Sequence, residues 1–297
     1  MGVPLTVSEV FMIQYAFSTS AFRNYSLLEA FEKISAAGYT GVEIMCDRPH
    51  AYPPDLTKSF IRNIQSALAR TGLSIATLNT SLLYAVGEAG HPSWIERAKE
   101  GREVRIHHTI DCIRLAEALG AKSISIPPGG PLNGKTIEED LDLFIEGLER
   151  ILPHAEESGV KVLISTEPNF LISTSDQFLE WMGHMNSPSL GLYCDVGHFF
   201  CVGEDPVKAL HKLSPYIGHV HFEDIAASRL HQHLIPGEGA IDFQQILMTL
   251  DEIHYDGFIS MALYSYRSKP AEVATLALKR LKEITSNVLP YPSAVSF

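Results

Sequence analysis

Cysteine is scarce in this sequence, with four residues in 297, and Cys46, Cys112, Cys194 and Cys201 form neither a CxxC pair nor a disulfide ladder. Reduced, buried thiols are expected, and with them a cytoplasmic protein. Basic residues are also in short supply: 23 Lys and Arg stand against 35 Asp and Glu, giving a net charge of −12. That surplus repels phosphate backbones and anionic headgroups, so neither nucleic acid nor a membrane surface is an expected partner. No stretch approaches the roughly 18 uninterrupted apolar residues of a membrane-spanning helix. The opening MGVPLTVSEVFMIQYAF lacks the early Lys or Arg of a secretory signal. Its Met1-Gly2 start has no basic cluster to support a lipid anchor.

Apolar side chains are plentiful, at 45% against 20% charged, which suffices for a large core and excludes general disorder. Short β-rich runs alternate with longer amphipathic ones, and the cycle repeats eight times. Strands are expected over 11–17, 41–45, 73–79, 122–126, 161–166, 190–194, 217–222 and 258–263. Helices are expected over 26–37, 54–71, 93–119, 136–158, 175–185, 205–213, 242–253 and 270–285. Ser26 reads as an N-cap, Thr136 with Glu139 as a capping box, and Gly38, Gly72 and Gly120 as helix stops. Eight β/α units predict an α/β fold, a (β/α)8 TIM barrel forming one domain over 1–297. A doubly wound sheet would usually place a glycine-rich loop after the first strand, and FSTSAFRN has no glycine.

In such a barrel the chemistry sits where the strands end at the C-terminal rim. Glu43, Asn79, Glu167, Asp195 and His221 fall at or near strand ends. A carboxylate placed there must be paired, protonated or bound to a cation. Glu167, Asp195 and His221 come from three consecutive strands, which lie roughly 4.8 Å apart, so their side chains can converge. Two carboxylates and an imidazole suit one divalent cation of the Mn, Mg, Co or Zn kind. His219 shares a face with His221 but lies a layer deeper, where a buried, hydrogen-bonded histidine is expected. His198 follows Asp195 by three, and Gly197 would permit a tight turn aiming it back at the site. The long loop over 223–240 carries Arg229, His231 and His233, then a PGEGAIDF turn; Arg229 and His233 are expected to contact substrate.

These residues lie in the segments STEPN, CDVGH, GHVHFED and PGEGAIDF, which with the stretches from AFEKISAAGYTGVEIM to GFISMALYSY span nearly the whole chain. On them the chain resembles the xylose-isomerase-like barrel superfamily of sugar isomerases and epimerases, which includes D-tagatose 3-epimerases and inosose dehydratases. The resemblance implies a metal held by Glu167, Asp195 and His221 plus a second Glu from the eighth strand. It implies that the two glutamates act as acid and base on opposite faces of a sugar or polyol ketone, through an enediolate. Glu43, Asn79, His198, Arg229 and His233 would contact that small carbohydrate substrate. A dimer or tetramer is implied as well. The eighth-strand position is occupied by Ala262, in SMALY. This departure removes one ligand and one catalytic group together. It implies impaired chemistry, whether the alanine is natural or an introduced Glu→Ala change. Two alternatives remain beside the isomerase: a dehydratase acting on a keto-sugar or inosose, and a non-catalytic metabolite-binding barrel.

Overall fold

The computed structural model describes residues 13–288 apart from positions 89, 133 and 135. The Met1-Gly2 start and positions 11 and 12 of the expected first strand lie outside the described residues. Eight parallel strands close in chain order into a barrel. They are β1 Gln14–Ser18, β2 Gly41–Met45, β3 Ser74–Asn79, β4 Ser123–Ile126, β5 Lys161–Ser165, β6 Leu190–Asp195, β7 Ile217–Phe222 and β8 Phe258–Met261. The ring closes where Gln14 pairs with Phe258 and Phe17 with Met261. Strands such as β2, β4 and β6 are buried throughout, because helices cover their outer face and side chains fill the inside.

The helices between them are α1 Leu27–Ala36, α2 Lys58–Thr71, α3 Lys99–Leu119, α4 Ile137–Ser158, α5 Ser175–Met182, α6 Val196–Cys201, α7 Pro206–Leu213, α8 Phe243–Glu252 and α9 Pro270–Val288. Ser26 and Thr136 make complete capping boxes with Glu29 and Glu139, fixing where α1 and α4 begin. Two starts differ from expectation. A 3-10 turn over Pro53–Asp55 precedes α2, whose cap is Thr57. The helix expected from 93 begins only at Lys99. Glu96 is spent on the backbone N–H of Ser93 and the ring of His91, while Trp94 is buried and donates its backbone N–H to the carbonyl of Gly129. The short α6 was not expected.

The buried Arg105 of α3 donates to the carbonyls of Thr80 and Pro92, tying down the chain that follows β3. All four cysteines are free; Cys201 is half-buried and the other three are buried. Among the described residues no helix is long and apolar enough to cross a membrane.

Candidate active site

A register shift between Leu192 and Tyr193 aligns Asp195 of β6 beside His221 of β7. The imidazole Nδ1 of His221 donates to Asp195 Oδ2 at 2.8 Å. The other carboxylate oxygen, Oδ1, accepts the backbone N–H of His198 at 3.0 Å, so Asp195 also caps α6. Glu43 lies within β2 rather than at its end, fully buried in the barrel. Asn79 Nδ2 donates to Glu43 Oε1 at 3.0 Å and the Tyr193 hydroxyl donates to Oε2 at 2.8 Å. The same carboxylate lies 3.6 Å from His219 Nε2 and 3.7 Å from His221 Nε2. His219 is the buried, hydrogen-bonded residue expected: its Nε2 contacts Ser260 Oγ at 2.9 Å and its ring stacks on Tyr193.

Glu167 stands just beyond β5, where its N–H donates to the Ile172 carbonyl and its own carbonyl accepts from Phe170. Asn169 closes that turn at φ 68°, a left-handed conformation that asparagine tolerates. Glu43, Asn79, Glu167, Asp195, His198 and His221 line one cavity of about 330 Å³, and His233 and Ala262 line it too. Arg229 does not join them. Its backbone sits at φ 61° and its guanidinium lies 5.2 Å from the Phe200 ring, beside an adjoining surface groove of about 490 Å³. Gly197 serves otherwise than expected. It is helical, and a Cβ there would come within 1.9 Å of Glu223 Oε1, so the glycine makes room for a carboxyl rather than for a turn.

Glu223 and Tyr193 are residues of this side-chain cluster that sequence reasoning missed. Both carry a period-two signal: Glu223 follows His221 by two, and Tyr193 precedes Asp195 by two. Among the described residues neither Glu223 oxygen makes a hydrogen bond of ordinary geometry, although Asp195 is its neighbour and His221 Nδ1 and His233 Nδ1 each lie 3.7 Å from Oε2. Burial, and next the charge of Asp195, push the Glu223 carboxyl well above the usual range. Asp195 is held well below it: burial opposes ionisation, but His198 and His221 outweigh that cost. Glu43 is held well below it as well, with burial outweighed by His221 and His219. His221 is raised to about 9, because Glu43 and Asp195 overcome the effect of its burial. Burial and the neighbouring Asp195 raise Glu167, against the pull of His198. The loop after β7 is organised by the buried Asp224, which accepts the N–H groups of Gly237, Gly239 and Ile241.

The donor set fits a divalent cation. Carboxylate and imidazole groups are concentrated in a buried pocket, and ligand atoms of Asp195, His198 and Glu223 all lie within 4.8 Å of one another. Both Glu223 oxygens are buried with no hydrogen-bond partner among the described residues, so they are open to a cation. At the eighth strand the expected glutamate is absent. The buried Ala262 offers only its carbonyl, which accepts from His233 Nδ1 at 2.5 Å.

A family model described as "Xylose isomerase-like TIM barrel" matches residues 31–284. The chain is 30% identical over 166 residues to an inosose dehydratase of Clostridium beijerinckii, a match covering 50% of this chain and 56% of that protein. It is 25% identical over 277 residues to a fructoselysine 3-epimerase of Escherichia coli O157:H7, covering 90% and 96%. Among solved structures, the IOLI protein with a binding zinc atom superposes with a TM-score of 0.77 at 21% identity, covering 94% of this chain and 100% of that one.

Proposed function

Since the chain belongs to the xylose isomerase-like TIM barrel family, we propose that it is a divalent-metal-dependent isomerase or epimerase of a sugar or polyol ketone. The observation that carries this reading is that Glu167, Asp195 and His221 line one cavity of about 330 Å³, a volume that suits a sugar, with His221 bonded to Asp195. Those three residues would hold the cation. When bound, it would polarise a substrate carbonyl and offset the negative charge of an enediolate.

Glu167 is the proton-transfer group. Its carboxyl is raised by burial, which suits a base that must also return the proton it takes. Asp195 remains ionised and holds His221 and the start of α6 in place. Glu43, held by Asn79 and Tyr193, steadies the far side of the His221 ring; it acts as a positioning residue more than as a substrate contact. With Ala262 at the second glutamate position, exchange on the opposite face lacks its carboxylate. His233 and Tyr264, whose rings lie 4.3 Å apart and tilted at 53°, are the polar groups beside it.

Ala262 also favours a second reading, a dehydratase. Abstraction at one carbon by Glu167 followed by loss of hydroxide needs no base on the other face, and one relative bears that activity in its name.

The test is incubation with ketohexoses, ketopentoses and inososes in deuterated buffer containing Mn. Deuterium in recovered sugar, lost in Glu167→Gln and on chelation, supports the isomerase. Water loss without exchange into recovered substrate supports the dehydratase. Neither reaction with any compound would sink both.

A further inference from the structure

Two arginines line the same cavity, and the proposed reaction leaves both unused. Arg23 ends a 3-10 turn over Thr19–Phe22, directly after β1. Arg267 ends a second such turn over Tyr264–Tyr266, soon after β8. The two strands are neighbours where the barrel closes, so both arginines stand on one side of the mouth. Asn24 Nδ2 donates to the Arg267 carbonyl at 3.1 Å and ties the two turns together.

Each guanidinium is held in place without being neutralised. That of Arg23 lies 4.6 Å from the centroid of the Tyr84 ring, a contact that steadies the cation and calls for no carboxylate. Arg267 Nε donates to the Tyr264 carbonyl at 3.2 Å, which leaves its two terminal amino groups for another acceptor. Among the described residues neither arginine forms a salt bridge. The carboxylates of the cavity stand elsewhere: Glu43 in β2, Glu167 just beyond β5 and Asp195 in β6. At and after β1 and β8 the lining residues are Ser20, Arg23, Ala262, Tyr264 and Arg267, none of them acidic. In a ring of eight, β5 lies four strands from β1, so Glu167 and Arg23 stand on opposite sides of the mouth. In a chain of net charge −12, two unpaired arginines on one wall reverse the overall field locally. Planar guanidinium forks match the oxygens of a carboxylate or a phosphate, a partner that a neutral sugar does not offer.

We propose that Arg23 and Arg267 bind an anionic group on the substrate, so that the compound taken is a keto-sugar carrying a carboxylate or a phosphate ester remote from its reacting carbonyl. The inference rests on the reading of this cavity as a sugar site. The anion at the β1–β8 wall directs the carbonyl end across the mouth, toward Glu167. Arg23 and Arg267 are thereby specificity-determining residues rather than parts of the proton-transfer machinery.

The test is calorimetric titration, in excess Mn, with three six-carbon ligands that lack a ketone and cannot react: glucitol, gluconate and glucitol 6-phosphate. The variants are Arg23→Lys and the double replacement Arg23→Gln with Arg267→Gln, and thermal melting confirms that both fold. The parent is expected to bind gluconate or glucitol 6-phosphate about 10–100-fold more tightly than glucitol, as charge-assisted hydrogen bonds imply. The ligand that gains identifies a sugar acid or a sugar phosphate. The double variant should lose the preference and Arg23→Lys should keep part of it. Equal or undetectable affinity for all three ligands in the parent, or a preference that survives in the double variant, would overturn the inference. An arginine-dependent preference in a protein that takes up no Mn would keep it and sink the metal-dependent reading instead.

Discussion

The replacement Glu43→Gln keeps the shape of a fully buried side chain and removes its charge. The carboxylate accepts from Asn79 at 3.0 Å and from Tyr193 at 2.8 Å, and it lies 3.7 Å from Nε2 of His221. An amide retains one oxygen and turns an NH₂ toward the other donor. One buried donor then goes unsatisfied, at a cost of about 1–3 kcal/mol. The second consequence falls on the metal. A histidine ligand that loses its outer carboxylate typically binds metal about 10–100-fold more weakly. Urea denaturation of metal-free protein should therefore show the stability loss, and calorimetric titration with Mn the affinity loss. Reduced stability with unchanged Mn affinity would refute the positioning role and leave Glu43 a purely structural residue.

Arg229→Ala should leave KM and kcat as in the parent, because its side chain packs on Phe200 outside the cavity, whereas His233→Ala should raise KM or lower kcat; steady-state kinetics on the true substrate separates them. Ala262→Glu should raise Mn affinity, and it should raise turnover by about 10²–10⁴-fold if a second acid–base group is what the site lacks; deuterium exchange no faster than the parent would count against that. Gly197→Ala should lower stability by about 1–3 kcal/mol, since its Cβ would come within 1.9 Å of Glu223 Oε1; an unchanged melting temperature would contradict the placement of Glu223. His50 is lowered to about 4, chiefly by burial, so the folded state favours its neutral form. Its stability contribution is complete above the unfolded value near 6.5 and is lost as pH falls from there toward 4, by about 3 kcal/mol at most. In metal-free protein, His50→Asn should flatten that part of the pH–stability curve.

Much of the barrel is legible in the sequence because parallel strands buried on both faces read as short apolar runs. The bounds of β2 and β7 coincide with expectation, and Ser26 and Thr136 mark α1 and α4 through a local side-chain–backbone exchange. The start of α3 is obscured because Ser93 and Glu96 have the spacing of a capping box, yet Glu96 bonds within the loop and Trp94 is drawn into the core. Asp195 and His221 are legible as neighbours because adjacent strands carry them. Arg229 is misleading because proximity along a loop says nothing of direction, and its side chain packs over Phe200 outside the cavity. The meeting of His198 with His231 and His233 depends on how Asp224 folds the loop back, a contact between segments that no local spacing reveals.

The most direct test of the central claim is anomalous diffraction from crystals soaked in Mn, collected on both sides of the metal absorption edge. The account predicts a peak within bonding distance of Glu167, Asp195 and His221 in the barrel mouth. A peak seated elsewhere, or density at this mouth without anomalous signal in metal-loaded crystals, would contradict it.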